Sequence, residues 1–185
     1  MKIGIVSDTH DDVPYFASIA ALFAKQSPEL IIHCGDWVAP YSVVEFGRAI
    51  DAVLPGMTIR GVFGNNDGDQ FRILEAIRDE KLNIDIAKDI LEIPAEREGD
   101  RPVAIYHGTE EKIVNALTGY GEYRAVFRGH THIPKVLMHE TRYGKVLEVN
   151  PGTASSYSRG RVTKRGSVAI YDSEANSAEL LFFDR

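Results

Sequence analysis

Leu30-Ile31-Ile32-His33-Cys34-Gly35-Asp36 is an apolar run that stops at a glycine and then presents a carboxylate. Its β-branched pair fits a strand buried on both faces of a parallel sheet. Gly35 lets the backbone turn sharply as the strand ends, and ligands gather at the carboxyl ends of strands in open α/β sheets. Asp36 is therefore where chemistry is expected, although Gly-Asp after a hydrophobic run is also an ordinary turn. The decision rests on what else ends a strand in the same way.

Upstream, Lys2 to Val6 is a short β-branched run ending at Ser7-Asp8-Thr9-His10. Asp8 and His10 are two residues apart, so in an extended segment they share a side and can grip one cation through a carboxylate oxygen and an imidazole nitrogen. An N-capping Asp followed by a surface His is the competing reading. Pro14 suits the first turn of a helix whose stripe is Phe16, Ile19, Ala20, Leu22 and Phe23. Downstream, Trp37 covers the sheet or walls a site, and a second helix carries Val43, Val44, Phe46 and Ile50. Met57 to Phe63 is a third strand ending at Gly64-Asn65-Asn66-Asp67-Gly68, which is either a turn or a segment offering the Asn65 carboxamide oxygen to a metal.

A helix over 69–81 is expected to turn Phe71, Ile73, Leu74 and Ile77 inward. Strands are expected at 84–86 and 90–93, and the charge run Glu96 to Arg101 reads as a solvated hairpin loop. Val103 to Tyr106 ends at His107-Gly108-Thr109. After a short helix, a strand over 124–127 ends at Arg128-Gly129-His130-Thr131-His132. His130 and His132 sit at i and i+2, on one side if the segment is extended. Strands at 135–140 and 146–149 form a hairpin through Tyr143-Gly144, Asn150 to Ser156 is a loop, and strands at 167–171 and 178–183 close the chain.

Five strand ends thus deliver Asp8, His10, Asp36, Asn65, His107, His130 and His132, a set holding four of the six histidines. Oxygen and imidazole ligands without thiolate suit Mn, Fe or Zn. Seven ligands are too many for one catalytic ion with an open position but suit two ions sharing a carboxylate. Two divalent ions would outweigh the charge of two aspartates, leaving a positive pocket in an acidic protein.

The 185 residues, 44% hydrophobic and 26% charged, give one globular domain over 1–185. A net charge of −6 gives no general attraction to nucleic acid or anionic lipid. The single cysteine, Cys34, rules out an internal disulfide and fits a reducing cytoplasm. No apolar run reaches membrane-spanning length, and the N-terminal run is too short for a signal peptide.

The order Asp8-x-His10, Gly35-Asp36, Gly64-Asn65-x-Asp67, His107, Gly129-His130-x-His132 resembles that of the calcineurin-like metallophosphoesterases, in particular the compact YfcE-type phosphodiesterases. The likeness runs from Asp8 to the Asn150-Pro151-Gly152 loop. It implies an α/β fold, a two-sheet α/β sandwich flanked by helices. It implies one metal on Asp8, His10, Asp36 and His132 and a second on Asp36, Asn65, His107 and His130. The expected activity is hydrolysis of a small phosphodiester by in-line attack of a hydroxide bridging the two ions. Asn66 and Asp67 are the candidate catalytic residues beside the ligands. Many members carry His where this chain has Asn66, and an amide cannot act as a general acid. Thr109 likewise stands where a second His often follows. Asp67 is expected to orient His10 or a neighbouring ligand, with a turn role equally open.

Two other functions compete. A branch of the same family serves as a protein-binding scaffold in membrane-traffic complexes, but those members are expected to have lost ligands that this chain keeps. A nuclease would share the metal set; the acidic composition argues against nucleic acid, although Arg124, Arg128, Arg159, Arg161, Lys164 and Arg165 form a candidate basic edge. A homo-oligomer is compatible with everything above.

Overall fold

The computed structural model describes residues 1–158 and 161–184. Six strands form the first sheet in the order β13-β12-β1-β2-β3-β4, with β1 Lys2–Val6, β2 Leu30–His33, β3 Ile59–Val62, β4 Ile84–Ala87, β12 Arg165–Asp172 and β13 Ser177–Asp184. Five form the second in the order β5-β6-β7-β9-β8, with β5 Ile90–Ile93, β6 Val103–Tyr106, β7 Ala125–Phe127, β8 Lys135–Thr141 and β9 Gly144–Asn150. A two-stranded ribbon, β10 Tyr157–Ser158 with β11 Arg161–Val162, stands outside both, in a stretch without apolar periodicity.

The organising strand behaves as its composition requires: every residue of β2 is buried, and it pairs in parallel with β1 on one side and β3 on the other. Its side chains alternate between two cores. Leu30 and Ile32 join Ile3, Ile5, Val62 and Tyr171 against Leu91, Ile105, Phe127 and Val149 of the second sheet. Ile31 faces the other way, into a core with Phe23, Phe46, Ile59 and Ile73. That second core is closed by α1 Phe16–Gln26, α2 Pro40–Asp51 and α3 Gln70–Asp79, while α4 Glu111–Gly119 lies on the outer face of the second sheet. The architecture is a two-sheet α/β sandwich with helices on both outer faces.

This arrangement positions a site because of strand direction. β1, β2 and β3 run parallel, and so do β6, β7 and β9. Parallel pairing sends the residues after β1, β2 and β3 to one edge of the first sheet, and those after β6 and β7 to one edge of the second.

Three expectations need correction. On α3 only Ile73 and Ile77 are buried; Phe71 and Leu74 are 72% and 44% exposed. A ten-residue helix at the side of a sheet buries a narrower stripe than the four-residue pattern assumed. Second, the basic edge loses two members: Arg128 is buried between Glu111 and Glu148, and Arg124 is held by Asp100 and the Ser173 carbonyl. Arg161, Lys164 and Arg165 are exposed, and Arg159 lies outside the described residues. Third, Asp8, His10, His130 and His132 do not lie on extended backbone; all four have positive φ. Among the described residues no helix is long and apolar enough to cross a membrane.

Candidate metal centre

Left-handed backbone governs how the site is built. Asp8 (φ 55°), His10 (43°), Asp36 (62°), His130 (67°) and His132 (59°) all occupy it. Outside glycine this region costs about 1–3 kcal/mol per residue, and Asn, Asp and His tolerate it better than most. The side chains able to ligate a metal are thus also the ones that endure this geometry. Its effect on the two His-containing motifs differs. Asp8 and His10 stay together, with His10 Nε2 3.7 Å from Asp8 Oδ1. His130 and His132 part: His132 Nε2 lies 3.2 Å from Asp8 Oδ1, whereas His130 Nδ1 turns to Asn65 Oδ1 at 2.8 Å.

The strand-end loops are laced to one another. Asp8 N donates to Gly35 O at 3.0 Å and His10 N to Asp36 O at 3.2 Å, fastening the first loop to the second. Across the two sheets, His130 N donates to Asp8 Oδ2 at 3.1 Å, and between the two loops of the second sheet Gly129 N donates to His107 O at 2.8 Å. Two glycines permit the closeness: a Cβ on Gly64 would collide with Asp36 Oδ1, and one on Gly129 with Ser7 Oγ and Asp8 Oδ2.

All seven expected side chains are brought together, in two overlapping groups. Ligand atoms of Asp8, His10, Asp36 and His132 lie within 4.8 Å of one another. On the other side Asn65 Oδ1 lies 3.2 Å from His107 Nε2, which is itself 3.4 Å from Asp36 Oδ1. Asp36 faces both groups, Oδ1 toward His107 and Oδ2 toward His10 at 3.5 Å.

The donor chemistry fits a cation. Asp8 Oδ1 is fully buried and makes no hydrogen bond among the described residues. His10 Nε2 and His132 Nε2 face each other at 3.1 Å beside it, so at least one of them presents a lone pair to the other nitrogen. An orphaned carboxylate oxygen between converging imidazole nitrogens is a set of donors lacking a positive charge. Burial opposes ionisation of Asp8, but His10, His132 and His107 outweigh it and hold the carboxyl well below the usual range. Asp36 is likewise lowered, with burial overcome by His107 and by the Asn66 amides. Burial depresses His107 and His10, yet Asp36 and Asp8 raise both above the ordinary imidazole value. His130 goes down, through burial and the neighbouring His107.

Asn66 and Asp67 both contact Asp36. Asn66 grips Asp36 from outside. Asp67 does not touch His10: its Oδ2 accepts from Asp36 N (3.1 Å) and Gly64 N (2.6 Å), and its Oδ1 from Val38 N (2.6 Å). It orients Asp36 through the backbone and ties two loops at once, and burial raises its pKa. His33 has no role in the sequence reading, yet its ring, buried and pushed down to about 3, joins Thr9 Oγ1 to Gly35 N and stacks on Trp37 at 3.6 Å between centroids. Its signal was a lone His inside a core strand four residues before a Trp. Trp37 is a core residue, its indole N–H donating to Val62 O. The Asn150 loop also acts: Asn150 Nδ2 donates to Gly129 O and Thr153 Oγ1 to Asp8 O, both at 2.9 Å.

Residues 1–176 match the family model of the calcineurin-like phosphoesterase superfamily domain. The chain is 31% identical over 175 residues to phosphodiesterase MJ0936 of Methanocaldococcus jannaschii, covering 94% of each. It superposes on the solved structure of a novel archaeal phosphodiesterase with a TM-score of 0.79 at 29% identity, over 99% of this chain and 100% of that one. On YfcE, a phosphoesterase from E. coli, the TM-score is 0.63 at 18% identity over 98% of both, a likeness of fold. The motif order, the sandwich and the metal-fitting cluster have one common explanation: the chain belongs to the calcineurin-like phosphoesterase superfamily, whose fold and divalent-metal dependence it carries.

Proposed function

We propose that the protein is a phosphodiesterase with a two-metal centre, in which Asp8, His10, Asp36 and His132 hold one divalent ion and Asp36, Asn65, His107 and His130 the other. The observation that carries this reading is the division of Asp36, one oxygen toward each group. When bound, such a pair lowers the pKa of water to about 7 and steadies the entering and leaving oxygens of an in-line displacement.

The chain's own residues set the limits of that chemistry. Asp8 is walled off from solvent, and the Asn150 loop keeps its backbone in place, so the ligand cage is preorganised rather than gathered on binding. Asn66 keeps Asp36 oriented but has no proton to give, so the alcohol leaves as its anion and good leaving groups react fastest. A diester offers one negative charge to this pocket, and the homologous enzyme being a phosphodiesterase supports that substrate class. Mn is the expected metal, with Fe, Zn or Ni as alternatives.

The test is metal analysis of purified protein and an assay of bis(p-nitrophenyl) phosphate against p-nitrophenyl phosphate with added Mn. Two metals per chain and preference for the diester are expected. Asp36→Asn or His107→Ala should remove activity while sparing the fold, and full turnover in either would refute the assignment.

A further inference from the structure

Beside Asn65 the surface opens into a groove of about 400 Å³. Its apolar walls come from Phe63, Ile90, Tyr106 and Ile113, and its polar edge includes Gln70 and Lys88 together with the acidic Asp89 and Glu110. Phe63 and Tyr106 are buried and fixed: Phe63 N donates to Ala87 O, and Tyr106 Oη accepts from Glu110 N at 3.0 Å. Ile90 and Ile113 are 42% and 37% exposed, so apolar surface faces water on both sides of the groove. The Gln70 carboxamide makes no hydrogen bond among the described residues, leaving a donor and an acceptor at the rim. The groove and the metal-fitting cluster share Asn65, whose Oδ1 faces His107 and His130.

We infer that this groove receives one ester group of the substrate, and that the group is a nucleoside whose base lies between the apolar walls with its hydrogen-bonding edge at Gln70. Resting on the phosphodiesterase reading, this places the phosphorus at the Asn65 end of the groove. The wall chemistry selects among alcohols. An aliphatic alcohol would cover the isoleucines but leave the carboxamide idle, and a bare sugar would use the carboxamide but waste four large apolar side chains. A nucleobase has apolar faces and a polar edge, matching both.

Binding measurements separate the groove from catalysis. Calorimetric titration of the Mn-loaded protein with ethyl phosphate, phenyl phosphate and thymidine 5′-monophosphate should give affinities rising in that order. At least about tenfold, or about 1.4 kcal/mol, is expected between the first and the last. In Ile113→Asp the ratio should fall toward one. That substitution lies in the first turn of α4, where a carboxylate complements the helix dipole, so the helix survives it. Ile90→Ser provides a second, independent lesion, and Val53→Asp, remote from the groove, should keep the ratio. Equal affinity for all three ligands, or a ratio untouched by both groove variants, would overturn the inference. Phenyl phosphate binding as tightly as the nucleotide would overturn the nucleobase assignment. Because no turnover is needed, a chain inert toward every diester but showing the groove-dependent ratio would sink the phosphodiesterase reading alone.

Discussion

Asn66 spans Asp36 with two hydrogen bonds, its backbone N–H to Oδ1 at 2.9 Å and its side-chain Nδ2 to Oδ2 at 2.8 Å. The Asn66 carboxamide is therefore engaged in holding the carboxylate that faces both ligand groups.

Asn66→His keeps the backbone bond and exchanges the side-chain one for an imidazole. Turnover of a diester with an alkyl leaving group should rise about tenfold or more, while p-nitrophenolate release should change by less than about twofold. The measurement is the dependence of kcat on leaving-group pKa; an unchanged slope refutes a missing acid as the limit.

Asp67→Asn replaces a carboxylate receiving three backbone N–H groups by an amide whose nitrogen faces one or more of them. The variant should lose about 2–4 kcal/mol of stability. Metal affinity should fall about tenfold or more, because Asp36 is no longer held. Urea unfolding and a competitive Mn titration would read the two effects separately.

Loading should stabilise the fold through mass action. At free Mn a thousandfold above its dissociation constant the gain is about 4 kcal/mol, which for a domain of this size is a rise in Tm of about 8–16 °C over chelator-treated protein. An unchanged Tm would mean that the cluster binds no ion in the native state.

Glu148 provides an acid-stability prediction away from the centre. Burial opposes its ionisation, but Lys135, His139 and Arg128 overcome this and hold its carboxyl below the ordinary 4.5. A lowered folded pKa contributes stability that is full above 4.5 and is lost as pH falls through the folded value. Glu148→Gln should cost about 2 kcal/mol at neutral pH and should show a shallower stability loss below pH 4.5, read from urea midpoints across pH.

The strand framework was legible because β-branched runs ending at glycine or serine state both where a strand lies and where it stops, and Leu30 to Asp36 is the plainest case. The seven polar residues were legible for the same reason. What lay beyond the sequence was torsional. An i, i+2 rule written for extended backbone put His130 and His132 on one side, whereas left-handed φ at both sends them to different neighbours. Roles that depend on distant partners were also hidden: Asp67 reaches the second loop, His33 links the first to the second, and Arg128 is consumed by glutamates 17 and 20 residues away. Phe71 and Leu74 misled because periodicity tells which face is apolar and not how much of it the sheet will cover.

The left-handed torsions at Asp8, His10, Asp36, His130 and His132 also bear on transplantation. Copying the seven side chains onto the ideal strand termini of another scaffold would aim them wrongly, since their directions are written in the main chain. A designer would have to graft the crossed loops whole, with the glycines that let them touch.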